Sequence, residues 1–131
     1  MEDFVFYACK HLGIDRLRGE LEIKLNPRNI DGEAFGLCWG DRSTCEVHIA
    51  SRQWGESVSR ENKLKTLAHE LTHAYQYFTG HLVAYDVGDY VSRWHGADIK
   101  YDPETEDEMP WEQEAYHFEK VIYESWIRSQ V

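Results

Sequence analysis

Basic residues are scarce in this chain. Lys and Arg number 14 against 24 Asp and Glu, for a formal net charge of −10. Nucleic-acid affinity rests on cationic side chains neutralising phosphates, and here they are scattered along the chain, so no nucleic-acid partner is expected. The same field mildly favours cationic substrates. Cysteine is also rare and odd in number: Cys9, Cys38 and Cys45. Three thiols make no disulfide framework and point to a reducing compartment. The segment Met1-Glu2-Asp3-Phe4 lacks the basic stretch and apolar run of a secretory signal. No apolar run approaches the ~20 residues that cross a bilayer. Repeats, low-complexity tracts and Pro/Ser-rich linkers are missing as well. These absences leave one domain over residues 1–131, expected to be soluble, intracellular and cytoplasmic.

What is present is ample apolar material. Hydrophobic residues make up 42% of the chain and aromatics 14%, enough for a folded core and too much for a disordered chain. Residues 3–12 read as a short amphipathic helix stopped by Gly13. Leu21-Glu22-Ile23-Lys24-Leu25 alternates with period two and predicts a strand ended by Asn26-Pro27. The apolar run 34–39 predicts a second strand, and Cys45-Glu46-Val47-His48-Ile49 a third. The Gly40-Asp41-Arg42-Ser43 stretch between these two reads as a hairpin turn.

A long helix is predicted next, with Ser59 as N-cap and Gly80 as its stop. Leu64, Leu67, Ala68, Leu71, Ala74, Tyr75 and Phe78 fall on one face of it. Residues 81–109 are mixed and polar, with a weak strand signal near 83–91. Pro110 suits the first position of a last helix, 110–128, with Trp111, Ala115, Phe118, Ile122 and Trp126 as its apolar stripe. The element order predicts an α+β fold, with helices packed on one face of a small sheet.

The chemistry concentrates in His69-Glu70-Leu71-Thr72-His73. Two histidines four apart in a helix stack their imidazoles one turn above the other on one face. Two nitrogens so placed can reach one zinc ion at about 2.0–2.1 Å. Glu70 lies about 100° round the helix from His69, free to take a proton from a water and pass it to a leaving amine. Shuffling this composition would produce the pattern in roughly 4% of sequences, and fewer would set it on the flank of an amphipathic helix.

A third ligand is needed, with the fourth position left for water or substrate. Glu112 and Glu114 in the last helix each sit about 80° from the centre of its stripe, so periodicity does not choose between them. Both also read as ordinary acidic residues of a first helical turn. His95 in Trp94-His95-Gly96 is the rival, followed by His81. Cys45 or Cys38 would make the site resemble a deformylase, but both read better as small buried strand residues.

The segment Thr66-Leu67-Ala68-His69-Glu70-Leu71-Thr72-His73-Ala74-Tyr75-Gln76-Tyr77 resembles the active-site helix of zincin metallopeptidases. Together with Trp94-His95-Gly96 and Pro110-Trp111-Glu112-Gln113-Glu114-Ala115-Tyr116, it resembles small phage and bacterial metallopeptidases of the minimal gluzincin or SprT-like type, over roughly residues 34–120. The resemblance implies a zincin-like fold, with a small three- or four-stranded, mainly antiparallel sheet against an active-site helix and a C-terminal helix. In gluzincins the third ligand is commonly a Glu in a Glu-x-x-Ala pattern, which falls on Glu112. In SprT-like proteins it is a His in a His-Gly pair, which falls on His95. The resemblance further implies an edge strand at 44–50 to which an extended peptide adds. Where relatives place an Asp or Asn as a ligand's partner this chain has Tyr116, leaving Glu114, Tyr116 or Glu119 for that task. Tyr116, His95, Tyr85 and His117 are candidates to stabilise a transition-state oxyanion. The function expected is zinc-dependent peptide hydrolysis with one Zn2+. The alternatives are a zinc-stabilised module that binds a peptide or protein without cutting it, and hydrolysis of a non-peptide amide.

Overall fold

The apolar residues spaced along 64–78 form one stripe of a helix, and that helix is the centre of the molecule. The structure is a computed structural model that describes residues 2–26, 36–53, 56–84, 91–100 and 102–130. Three helices are described: α1 (Glu2–Leu12), α2 (Arg60–Thr79) and α3 (Pro110–Ser129). The strands are β1 (Glu20–Asn26), β2 (Gly36–Gly40), β3 (Thr44–Ala50), β4 (Arg52–Gln53), β5 (Glu56–Ser57), β6 (Leu82–Ala84), β7 (Val91–Trp94) and β8 (Ala97–Lys100). Among the described residues they make a three-stranded sheet β1-β3-β2, a two-stranded ladder β4-β5 and a second three-stranded sheet β6-β7-β8. The fold is α+β. No helix among the described residues is long and apolar enough to cross a membrane.

Caps set the limits of α2. The Ser59 side chain accepts from the Asn62 N–H at 3.1 Å, and Gly80 takes the left-handed conformation (φ 75°) that ends the helix. α2 packs against β2 and β3 on one side, and against α1 and α3 on others. That wedged position explains its burial. Leu67, Ala68, Leu71 and Ala74 lie in the core, as the apolar stripe requires, but so do His69, Glu70, Thr72, His73 and Gln76. α3 begins at Pro110 and buries Trp111, Ala115 and Ile122, with Phe118 and Trp126 partly covered.

The first sheet corrects one expectation. Strand β3, residues 44–50, is not an edge strand: it is the middle strand, paired parallel to β1 (Ile23 opposite Val47) and antiparallel to β2 (Cys38 opposite Val47). Its burial is the physical reason. Cys45, Val47 and Ile49 point into the core and Ala50 is buried beside them, so β3 is covered on both flanks. The edge beside α2 is β2. Its first residue, Gly36, lies so close to α2 that a Cβ there would stand 2.6 Å from Thr66 Cγ2 and 3.0 Å from Glu70 Cγ. The outer face of the sheet carries charge, with Lys24 3.1 Å from Glu46 and 3.6 Å from Glu22.

The sequence predicts one small sheet and only a weak strand near 83–91. The second sheet is built from strands of three or four residues, half exposed, with no clean alternation to announce them. His95 and Gly96, at φ 48° and 84°, make the tight turn between β7 and β8.

Candidate metal centre

His69 and His73 project from the same side of α2, and Glu112 meets them from the first turn of α3. The Nε2 of His73 is 2.5 Å from Glu112 Oε1, and the Nε2 of His69 is 3.3 Å from Glu112 Oε2. Ligand atoms of the three lie within 4.8 Å of one another. Donors around one tetrahedral zinc at about 2.0–2.1 Å stand about 3.3 Å apart, so the group is near the required size.

The outer ring nitrogens are held as well. His69 Nδ1 lies 3.1 Å from Glu119 Oε1, and His73 Nδ1 lies 2.8 Å from Gln76 Oε1. Both partners are acceptors, so both Nδ1 atoms donate and each Nε2 is the ring nitrogen left facing inward. Two imidazole nitrogens and a carboxylate then face one another in a buried space. Such an arrangement needs a positive charge in the middle, either protons or a metal ion. With protons, burial works against a charged His69, but Glu112 and then Glu119 override it and hold it at about 10. Burial likewise works against the Glu112 carboxylate, and the two imidazoles override it, holding it down at about 2. Two imidazoles and one carboxylate are donors that a divalent transition-metal ion accepts. The residues fit the ion: His69, His73 and Glu112 can hold it.

The group opens on a cleft of about 640 Å³. Gly36, Leu37 and Cys38 of β2 line one side of it, and Glu106 and Asp107 belong to another. Glu70 lies in this lining, only 7% exposed. Burial raises its pKa, against the pull of His73 and His69, which makes it a stronger base than a surface carboxylate. Burial also raises Glu106, helped by Glu112 and Asp107.

The other sequence candidates separate clearly. Glu114 accepts from Gln76 Nε2 at 3.2 Å. Tyr116 sets its ring against His69, centroids 4.7 Å apart, and donates its hydroxyl to Asp107 Oδ1 at 3.1 Å. Burial and then Asp107 push that phenol up to about 12. His95 is not in the metal group: it stands in the β7–β8 turn, its ring tilted 31° against that of His81 with centroids 4.2 Å apart. His117 is exposed beside Phe118, outside the cleft lining. Tyr85 lies outside the described residues. Cys45 is buried with its Sγ near Asp41 O and Ala74 O. Cys38 lines the cleft, but a hydrogen bond with Cys45 and burial hold its thiol well above the ordinary value, away from a thiolate ligand. Sequence reasoning missed Gln76, Glu106 and Asp107. Gln76 had one visible signal, a polar side chain three residues after His73 between Tyr75 and Tyr77.

Fold and site together define an α+β domain with a two-histidine, one-glutamate group able to hold a metal ion. No protein-family model matches the chain, and no match is found among curated proteins.

Proposed function

We propose that this protein is a zinc-dependent peptidase of zincin type, with His69, His73 and Glu112 as ligands and Glu70 as general base. The observation that carries the reading is the convergence of three donors, their outer nitrogens already held, beside a buried carboxylate in an open cleft. A zinc ion bound there would polarise the scissile carbonyl and acidify a water. Glu70 takes the proton from that water and returns it to the departing amine. Tyr116 lines the cleft with its ring against His69, and its hydroxyl, which donates to Asp107, would turn from that partner to donate to the oxyanion.

Among the described residues β2 is an edge strand of its sheet, which suits an extended peptide adding to it by main-chain hydrogen bonds alongside Glu70. Glu106 and Asp107 on the cleft favour peptides carrying Lys or Arg. The three cysteines are free, which suits a cytoplasmic setting. The competing reading, a zinc-stabilised binding module, calls for a fourth protein ligand, and among the described residues the group contains three.

The test is hydrolysis of a mixed peptide library by zinc-loaded protein and by Glu70→Gln. The variant should keep its zinc and its fold and lose roughly 10²–10⁴ in kcat. Zinc-loaded protein that cleaves nothing, with Glu70→Gln indistinguishable from it, would sink the enzyme reading and leave the binding module.

A further inference from the structure

Gln76 is fully buried and makes three polar contacts. Its Nε2 donates to the carbonyl of Trp111 at 2.9 Å and to Glu114 Oε1 at 3.2 Å, and its Oε1 faces His73 Nδ1 at 2.8 Å. The directions of these bonds follow from one fixed point. A backbone carbonyl only accepts, so the amide nitrogen must face Trp111. The amide oxygen must then face His73, and an amide oxygen only accepts. His73 Nδ1 therefore keeps its proton, and Nε2, the atom aimed at Glu112, is the one whose lone pair an ion can take.

The same side chain acts on the opposite half of the site. Trp111 immediately precedes Glu112, and Glu114 follows two residues later, so both α3 contacts of Gln76 flank the third ligand in its helical turn. We infer that Gln76 is a positioning residue for the metal, setting the tautomer of His73 and the seat of Glu112 with one amide. This rests on the reading that the group holds an ion. Glu119 does the simpler half of the task for His69, accepting from Nδ1 at 3.1 Å with no backbone carbonyl to fix its direction.

Zinc affinity, read by competition with a chromophoric chelator, tests the inference. Gln76→Met keeps much of the volume and removes both polar ends, and should weaken binding roughly 10–100-fold, the range for lost partners of ligating histidines. Gln76→Glu still accepts from His73 but sets an oxygen against the Trp111 carbonyl, and should also lose affinity. Ile122→Val trims the buried face of α3 ten residues after Glu112, and should lower the melting temperature while leaving affinity within about threefold. Affinity in Gln76→Met within threefold of wild type would overturn the inference. So would an equal affinity loss in Ile122→Val at the same fall in melting temperature. Nitrogen-15 spectra of the zinc-loaded wild type need no variant: Nδ1 of His73 should hold the proton and Nε2 the ion, and the reverse assignment overturns the inference. Wild-type protein that takes up no zinc would defeat the underlying metal reading instead, a result distinct from all of these.

Discussion

α2 and α3 have the same length, 20 residues each, and meet at the site, yet they are held in different ways. α2 buries residues on nearly every side, including five polar ones, because the sheet, α1 and α3 enclose it. α3 buries only Trp111, Ala115 and Ile122 and leaves the rest of its surface partly or fully open. The two imidazoles and Glu70 are thus fixed by the core, while Glu112 arrives on an element docked by a single stripe. A metal group made this way is a joint between a rigid part and a lightly held one.

Core truncation should show the contrast most strongly. Leu71→Ala on α2 should cost about 2–5 kcal/mol in a urea titration, whereas Ile127→Ala, 44% exposed on α3, should stay within about 0.5 kcal/mol. Similar losses at both positions would mean the helices are equally anchored. Hydrogen exchange before and after chelation sharpens the same point. Amides in the first turns of α3 should exchange on the order of tenfold faster without zinc, with those of Leu67–Ala74 hardly changed. Uniform acceleration along both helices would contradict the joint.

Acidity probes the seam between the two helices. His69 is held at about 10, above its ordinary 6.5, and Glu112 at about 2, below its ordinary 4.5. The raised group stabilises the metal-free fold fully below about 6.5 and loses that contribution as pH climbs through about 10. The depressed group contributes fully above about 4.5 and loses it as pH falls through about 2. An incoming ion must expel the proton that this pairing retains. Apparent zinc affinity should therefore rise about tenfold per pH unit for each proton displaced, between about 6.5 and 10. Competition titrations at stepped pH would read this, and a flat profile would count against the proton-for-metal exchange.

The smallest effect concerns the cleft wall ahead of α3. Glu106→Gln with Asp107→Asn should lower kcat/KM for Lys- and Arg-containing peptides by about twofold to fivefold relative to neutral ones, the scale of exposed charge pairs. No change in that ratio would remove these two residues from substrate choice.

Both long helices were legible in the sequence, and for physical reasons. Ser59, Gly80 and Pro110 are boundary residues whose backbone preferences act locally, and the 3.6-residue stripes hold over many turns. The order of the first sheet was not legible. Alternation tells which side chains face the core but not which strand lies alongside; the edge position for 44–50 came from the zincin resemblance, and the strand stands in the centre. The second sheet was nearly invisible because its strands are too short and too exposed to show a period. At the site, the helix spacing brought His69 and His73 together without further help. Glu112 and Glu114 were indistinguishable by angle because both face α2: one joins the metal group and the other binds Gln76.

The spacing of the two histidines has a consequence for the unfolded chain. His69 and His73 need only one transient turn of helix to act as a two-armed chelator, so on the proposed metal reading a largely unfolded chain would already capture an ion weakly. That early capture would discount what a bound ion adds to the stability of the finished protein, since only the increment between loose and full coordination counts. The increment comes from Glu112, distant in sequence and delivered when α3 docks. Metal occupancy and metal tightness are therefore separate signals: the first says that a turn of α2 exists, the second that the last helix has come home.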